Sequence, residues 1–86
     1  MEQLIHEIRE EFQIPPYFPD ASIANYIIEG QTYLGGLNPV SNLEEDTTFR
    51  MLLKNYVNYA YHHKINEFEQ NYKTLILSWQ LGSEIK

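Results

Sequence analysis

Few residues in this chain have side chains able to do chemistry, and none of them falls into a catalytic spacing. His62 and His63 are adjacent, and His63 stands four residues before Glu67, a spacing that shares one helix face. With His6 these would make a three-ligand set of the kind zinc takes. Two ligands at one helical spacing recur by chance, and no His-Glu-x-x-His pattern is present. A histidine pair near a helix end more often caps carbonyls or faces water. The carboxylate pairs Glu10-Glu11 and Glu44-Glu45 are adjacent in sequence, so on a helix they diverge and cannot share a proton. No serine sits in a Gly-x-Ser-x-Gly elbow, and Gly35-Gly36 follows a helical pattern instead of preceding one, so it does not cradle phosphate. The expectation is a protein with no catalytic residue, metal site or cofactor.

Charge and size narrow the class further. The chain has 86 residues, no cysteine and a net charge of −6. That length makes one domain with a modest core and no disulfide or thiolate staple, so added stability would come most simply from packing against other subunits. The charge is uneven. Residues 1–46 carry −8, with Arg9 as their one base, while residues 47–86 carry +2. An acidic half joined to a mildly basic half favours head-to-tail contact between copies, or else is uneven solvated surface. A phosphate-binding module would need clustered Lys and Arg, which the overall sign disfavours. No leader is visible in the first residues, and no apolar run nears the roughly 18 residues that span a bilayer. The expectation is a soluble protein, made in the cytoplasm.

The elements that would position any site are helical. Leu4, Ile5, Ile8 and Phe12 recur at helical spacing among acids, which predicts a helix over 1–12, ended by Ile14-Pro15-Pro16. Asp20 or Ser22 caps a second helix, whose face is Ile23, Tyr26, Ile27, Gly30, Tyr33 and Leu34. Gly30 on that face admits a close neighbour, and Gly35-Gly36 is expected to stop the helix. A loop over 37–42 follows. Ser41-Asn42-Leu43-Glu44 matches a capping box, with Asp46 or Thr47 as a later cap. Phe49, Leu52, Leu53, Tyr56, Val57 and Ala60 make the stripe of a third helix from Glu44 or Asp46 to His63. Ile65, Phe68, Tyr72, Leu75, Ile76 and Trp79 face one way on a fourth helix that Gly82 is expected to end. A turn at His62-His63-Lys64 and one long kinked helix both fit. The predicted fold class is all-α: a small bundle of three to four helices in a single domain, with a long third helix and a C-terminal helix.

Seven tyrosines and one tryptophan stand out. Tyr59 and Tyr61 lie off the stripe of the third helix, where they suit either an interface or a tyrosine-rich core. Trp79 either seals the core or anchors a partner.

The run Thr74-Leu75-Ile76-Leu77-Ser78-Trp79-Gln80-Leu81-Gly82-Ser83-Glu84 resembles the C-terminal signature of the phage gp6-like head–tail connector (adaptor) proteins, in which a helix ends in a Gln-Leu-Arg-Gly-like run. Phe18-Pro19-Asp20-Ala21-Ser22-Ile23-Ala24-Asn25-Tyr26-Ile27-Ile28 resembles that family's acidic cap and second helix. The helix order matches over nearly the whole length. Gly82 directly follows Leu81, where the family places an arginine before the glycine. The resemblance implies a non-enzymatic virion protein, made in the host bacterial cytoplasm. It would form a homo-oligomeric ring, commonly of twelve copies, beneath the portal protein. The ring would extend the channel through which DNA passes without sequence-specific binding, and would dock a stopper or tail-completion protein. It places portal docking on Trp79, Leu81 and Ile85, and a subunit-contact or channel loop on Leu37, Asn38 and Val40. An acidic lining would suit a channel that must not hold phosphate.

Two other classes compete. One is a small acidic regulator, an anti-repressor or DNA mimic, which needs carboxylates arrayed on one face such as Glu2 to Glu11. The other is a helix-turn-helix binder that exposes Arg50 and Lys54.

Overall fold

The computed structural model describes the backbone of residues 1–85 and the side chains of residues 1–82. Four helices follow in order: α1 (Glu2–Glu11), α2 (Asp20–Leu37), α3 (Thr47–Tyr61) and α4 (Ile65–Ile85). There is no strand among the described residues. The bundle is all-α, and its longest element is α4 with 21 residues, against 15 for α3.

The apolar periodicities become the core. Leu4, Ile5 and Ile8 of α1, Ile23, Ile27 and Leu34 of α2, and Phe49, Leu52, Leu53 and Val57 of α3 are all buried. From α4 come Phe68, Ile76 and Trp79, while Ile65 and Leu75 stay exposed. Tyr26, Tyr33, Tyr56 and Tyr72 pack against this cluster but keep part of their surface. The most extensive helix pairing is α2 on α3, then α4 on α3, with α1 laid across both α2 and α3. The α2–α3 pair is antiparallel: Phe18, just before α2, meets Tyr61 at the end of α3 with ring centroids 4.9 Å apart. The α3–α4 pair is antiparallel too, since Phe49 meets Trp79 and Tyr59 meets Phe68.

Glycine is used differently from the way the sequence suggests. Gly35 and Gly36 do not stop α2, which continues to Leu37, and none of the described glycines has a positive φ. Leu37 still packs on the core, so one more turn buries apolar surface. The helix closes at Asn38, whose amide reaches the Leu34 carbonyl, and Pro39 bars continuation. Gly82 likewise does not end α4, which runs on to Ile85.

The left-handed positions that do end helices are held by Gln13 (φ 52) and His63 (φ 59). Both sit in the same reverse pattern. Ile14 N–H reaches the Arg9 carbonyl across Gln13, and Lys64 N–H reaches the Tyr59 carbonyl across His63. This six-to-one bond satisfies a carbonyl that the helix leaves open. The His63 turn makes α3 and α4 separate helices.

Gly30 marks the closest approach of α2 to α3. A Cβ built there would lie 2.6 Å from Leu53 Cδ1 and 2.8 Å from Tyr56 Cδ1. Gly36 has nothing within 4 Å. Alanine adds about 1 kcal/mol of helix propensity at either site, but at Gly30 overpacking costs about 1–3 kcal/mol. Gly30→Ala therefore lowers unfolding free energy by about 1 kcal/mol, whereas Gly36→Ala raises it by about 0.5–1 kcal/mol, as read by urea denaturation. His63→Gly relieves a left-handed side chain and raises stability by about 1 kcal/mol in the same assay.

Candidate functional site

The residues that the sequence marks as loop and as C-terminal docking segment meet at one end of the bundle. Asn38 is buried at the C-terminus of α2, and its Nδ2 donates to the Trp79 carbonyl at 3.5 Å. Gln80 Nε2 donates to the Leu37 carbonyl at 2.8 Å. These two bonds seat the 37–40 segment beside residues 79–80 of α4. Three large apolar side chains stay exposed on the two segments: Val40 at 73%, Leu77 at 54% and Leu81 at 50%. Leu77 and Leu81 are four residues apart and share a helix face. The side chain of Ile85 lies outside the described residues.

Asp46 organises this end. As N-cap of α3, its Oδ1 accepts from the amides of Thr48 at 2.9 Å and Phe49 at 3.2 Å. Its Oδ2 accepts from Ser41 Oγ at 2.5 Å and Trp79 Nε1 at 2.7 Å. The capping box at Ser41-Asn42-Leu43-Glu44 does not form; Asn42 instead accepts the Glu44 amide in a tight turn, and Ser41 serves Asp46. Burial pushes the Asp46 carboxyl up, but the hydrogen bonds from Ser41, Trp79, Phe49 and Thr48 outweigh it and hold the carboxyl below its ordinary value.

Trp79 is therefore not a free docking side chain. It is 6% exposed, with its ring against Phe49 at 5.3 Å and its N–H on Asp46. An indole buried on one side needs a partner for its N–H, and the cap carboxylate supplies it. Tyr59 and Tyr61 are only partly exposed. Tyr59 packs edge-on against Phe68 and Tyr72, and its hydroxyl accepts from Asn71 at 3.0 Å. Tyr61 packs against Phe18. Both belong to the margin of the core.

Two polar arrangements were not foreseen. Arg9 reaches across the proline linker, donating to the Pro15 carbonyl at 2.6 Å, the Phe18 carbonyl at 2.8 Å and Asp20 at 2.6 Å. Its standing as the one base among 46 residues was the available signal. Glu7 pairs with Arg50 at 2.6 Å and Lys54 at 3.0 Å, and Glu11 with Lys54 at 3.6 Å. Contact between the acidic and basic halves is thus made within the chain, α1 against α3. The bonds from Lys54 and Arg50 lower the Glu7 pKa, and their charges act the same way. Among the described residues no group of three or more His, Asp or Glu converges as a metal would need, so His6, His63 and Glu67 do not come together.

The Asp46 network has a pH signature. A carboxyl whose folded pKa is depressed contributes stability above its unfolded value, near 3.9, and loses it as pH falls through the folded value. Asp46→Ala removes the cap and strands the indole N–H, and should cost about 2–3 kcal/mol at pH 7. Urea midpoints taken from pH 6 down to pH 3 should fall more gently for that variant than for the native chain.

No family model matches this chain, and searches of curated proteins and of solved structures find no match.

Proposed function

We propose that this chain is a structural head–tail connector, or adaptor, of a tailed bacteriophage or prophage. Copies of it would form a ring beneath the portal protein, extend the DNA channel and dock the stopper or tail-completion protein. The observation that carries the reading is the seating of the 37–40 segment beside α4 at one end of the bundle, with Val40, Leu77 and Leu81 uncovered on the two elements. Uncovered apolar side chains on these adjoining segments are what a partner surface would cover. In this assignment Leu81, with Leu77, replaces Trp79 as the portal anchor, and Val40 serves the loop contact.

Charge agrees with a channel part. Glu2, Glu10, Glu44 and Glu45 are exposed and take part in no ion pair among the described residues. They would repel a passing phosphate backbone. The two regulatory and DNA-binding readings draw less support. A helix-turn-helix binder needs Arg50 and Lys54 free for phosphate, yet both are engaged by α1 carboxylates. A DNA mimic needs the Glu2 to Glu11 carboxylates free together, and Glu7 and Glu11 are held by Arg50 and Lys54. No helix among the described residues is long and apolar enough to cross a membrane.

A tagged pull-down from phage-producing cells, with bound proteins identified by mass spectrometry, tests the proposal. Portal and tail-completion proteins should co-elute in ring-like stoichiometry. Leu81→Glu should keep the helical circular-dichroism spectrum and change stability by no more than about 0.5 kcal/mol, yet lose the portal. Recovery of a transcription factor or polymerase without any virion protein would sink the reading.

A further inference from the structure

At the other end of the bundle, α2, α3 and the first turn of α4 enclose a groove of about 240 Å³. Tyr33, Tyr56, Ile65, Asn66, Phe68 and Glu69 line it. Tyr33 and Tyr56 lie with ring centroids 5.9 Å apart and planes tilted by 31°. The edge of Phe68 meets Tyr56 at 5.4 Å. Phe68 is buried and is closed from behind by Tyr72, stacked at 4.8 Å, so it forms the floor. Tyr33 and Tyr56, both half-buried, form the walls. The missing side chain at Gly30 is what lets the Tyr56 ring lie so close to α2.

The electrostatics of the groove have one sign. Burial, then the charge of Glu69, raises the Tyr33 pKa; burial, then Glu29 and Tyr33, raises that of Tyr56. Both phenols are neutral at physiological pH and stand in a negative field. Neither Glu29 nor Glu69 is in an ion pair among the described residues, and no Lys, Arg or His lines the groove. Aromatic faces attract a cation through their quadrupole, and most strongly a cation that sheds water readily.

We propose that this groove binds an organic cation, a guanidinium or alkylammonium group, against the Tyr33 and Tyr56 rings with Glu69 as its counter-charge; where the cation carries N–H groups, the Asn66 amide oxygen accepts from them. A hydrated inorganic ion finds too few oxygens there to replace its water. The cation comes either from an arginine side chain of a partner protein or from a free quaternary ammonium ion, which would bind by charge and ring face alone. Either fits independently of the connector reading.

Nuclear magnetic resonance titration of the full chain tests this, using N-acetyl-arginine methylamide and tetramethylammonium chloride, with sodium chloride at equal ionic strength as reference. The Tyr33 and Tyr56 ring resonances should shift saturably with at least one organic cation and not with sodium. Tighter binding of the arginine amide assigns the site to a partner side chain, and tighter binding of tetramethylammonium to a free amine. Glu69→Gln, an exposed change that leaves the core intact, should weaken binding about three- to tenfold. Sodium reproducing the shifts, no saturable shift with either organic cation, or unchanged affinity in Glu69→Gln would overturn the proposal.

Discussion

Four hydrogen bonds converge on one carboxylate, and three stretches of chain are fixed by it. Asp46 starts α3, holds the preceding loop through Ser41 and receives the indole N–H of α4. A neutral cap would satisfy the first amides of α3 but would hold the indole less firmly. Bonds to an ionised acceptor are about twice as strong as neutral ones, which is why a single side chain can serve both duties. With Trp79 fixed, Ile76 and Phe68 on the same α4 face fall against α3, and the 37–40 segment is seated by the neighbouring Trp79 carbonyl and Gln80 amide.

The other half of the molecule is held by charge laid over apolar packing. The buried face of α1 is short, three residues, so its placement gains from Glu7 and Glu11 reaching Arg50 and Lys54. These pairs are partly exposed, and each is worth little alone; a shared network of four charges also fixes direction. Arg9 plays the matching role for the linker. Three prolines between Ile14 and Asp20 leave carbonyls with few amide partners nearby, and one guanidinium takes two of them.

Much of this fold was legible in the sequence because apolar periodicity reports burial directly. The stripe Phe49, Leu52, Leu53, Val57 and Ala60 became the buried face of α3, and Gly30 became the close approach to it. Glycine as punctuation misled, because a helix continues through glycine when the next turn still buries a side chain, as Leu37 does. Gln13 and His63 took the left-handed turns for the converse reason: the bonds around them offset the strain. Of the residues named through the resemblance, Val40 and Leu81 are exposed. The choice between core and anchor for Trp79 was not legible, because its partner, Asp46, lies 33 residues away and no periodicity links them.

The burial of Trp79 has an optical consequence. It is the single tryptophan of the chain, so the near-ultraviolet emission of the folded state comes chiefly from one indole. That indole touches Phe49 at the start of α3 and hydrogen-bonds the residue that ends the preceding loop. Its colour and intensity are therefore a local gauge of the junction between loop, α3 and α4. Comparing that gauge with the backbone ellipticity of the whole bundle separates an opening of this one corner from loss of the fold, without any label added to the protein.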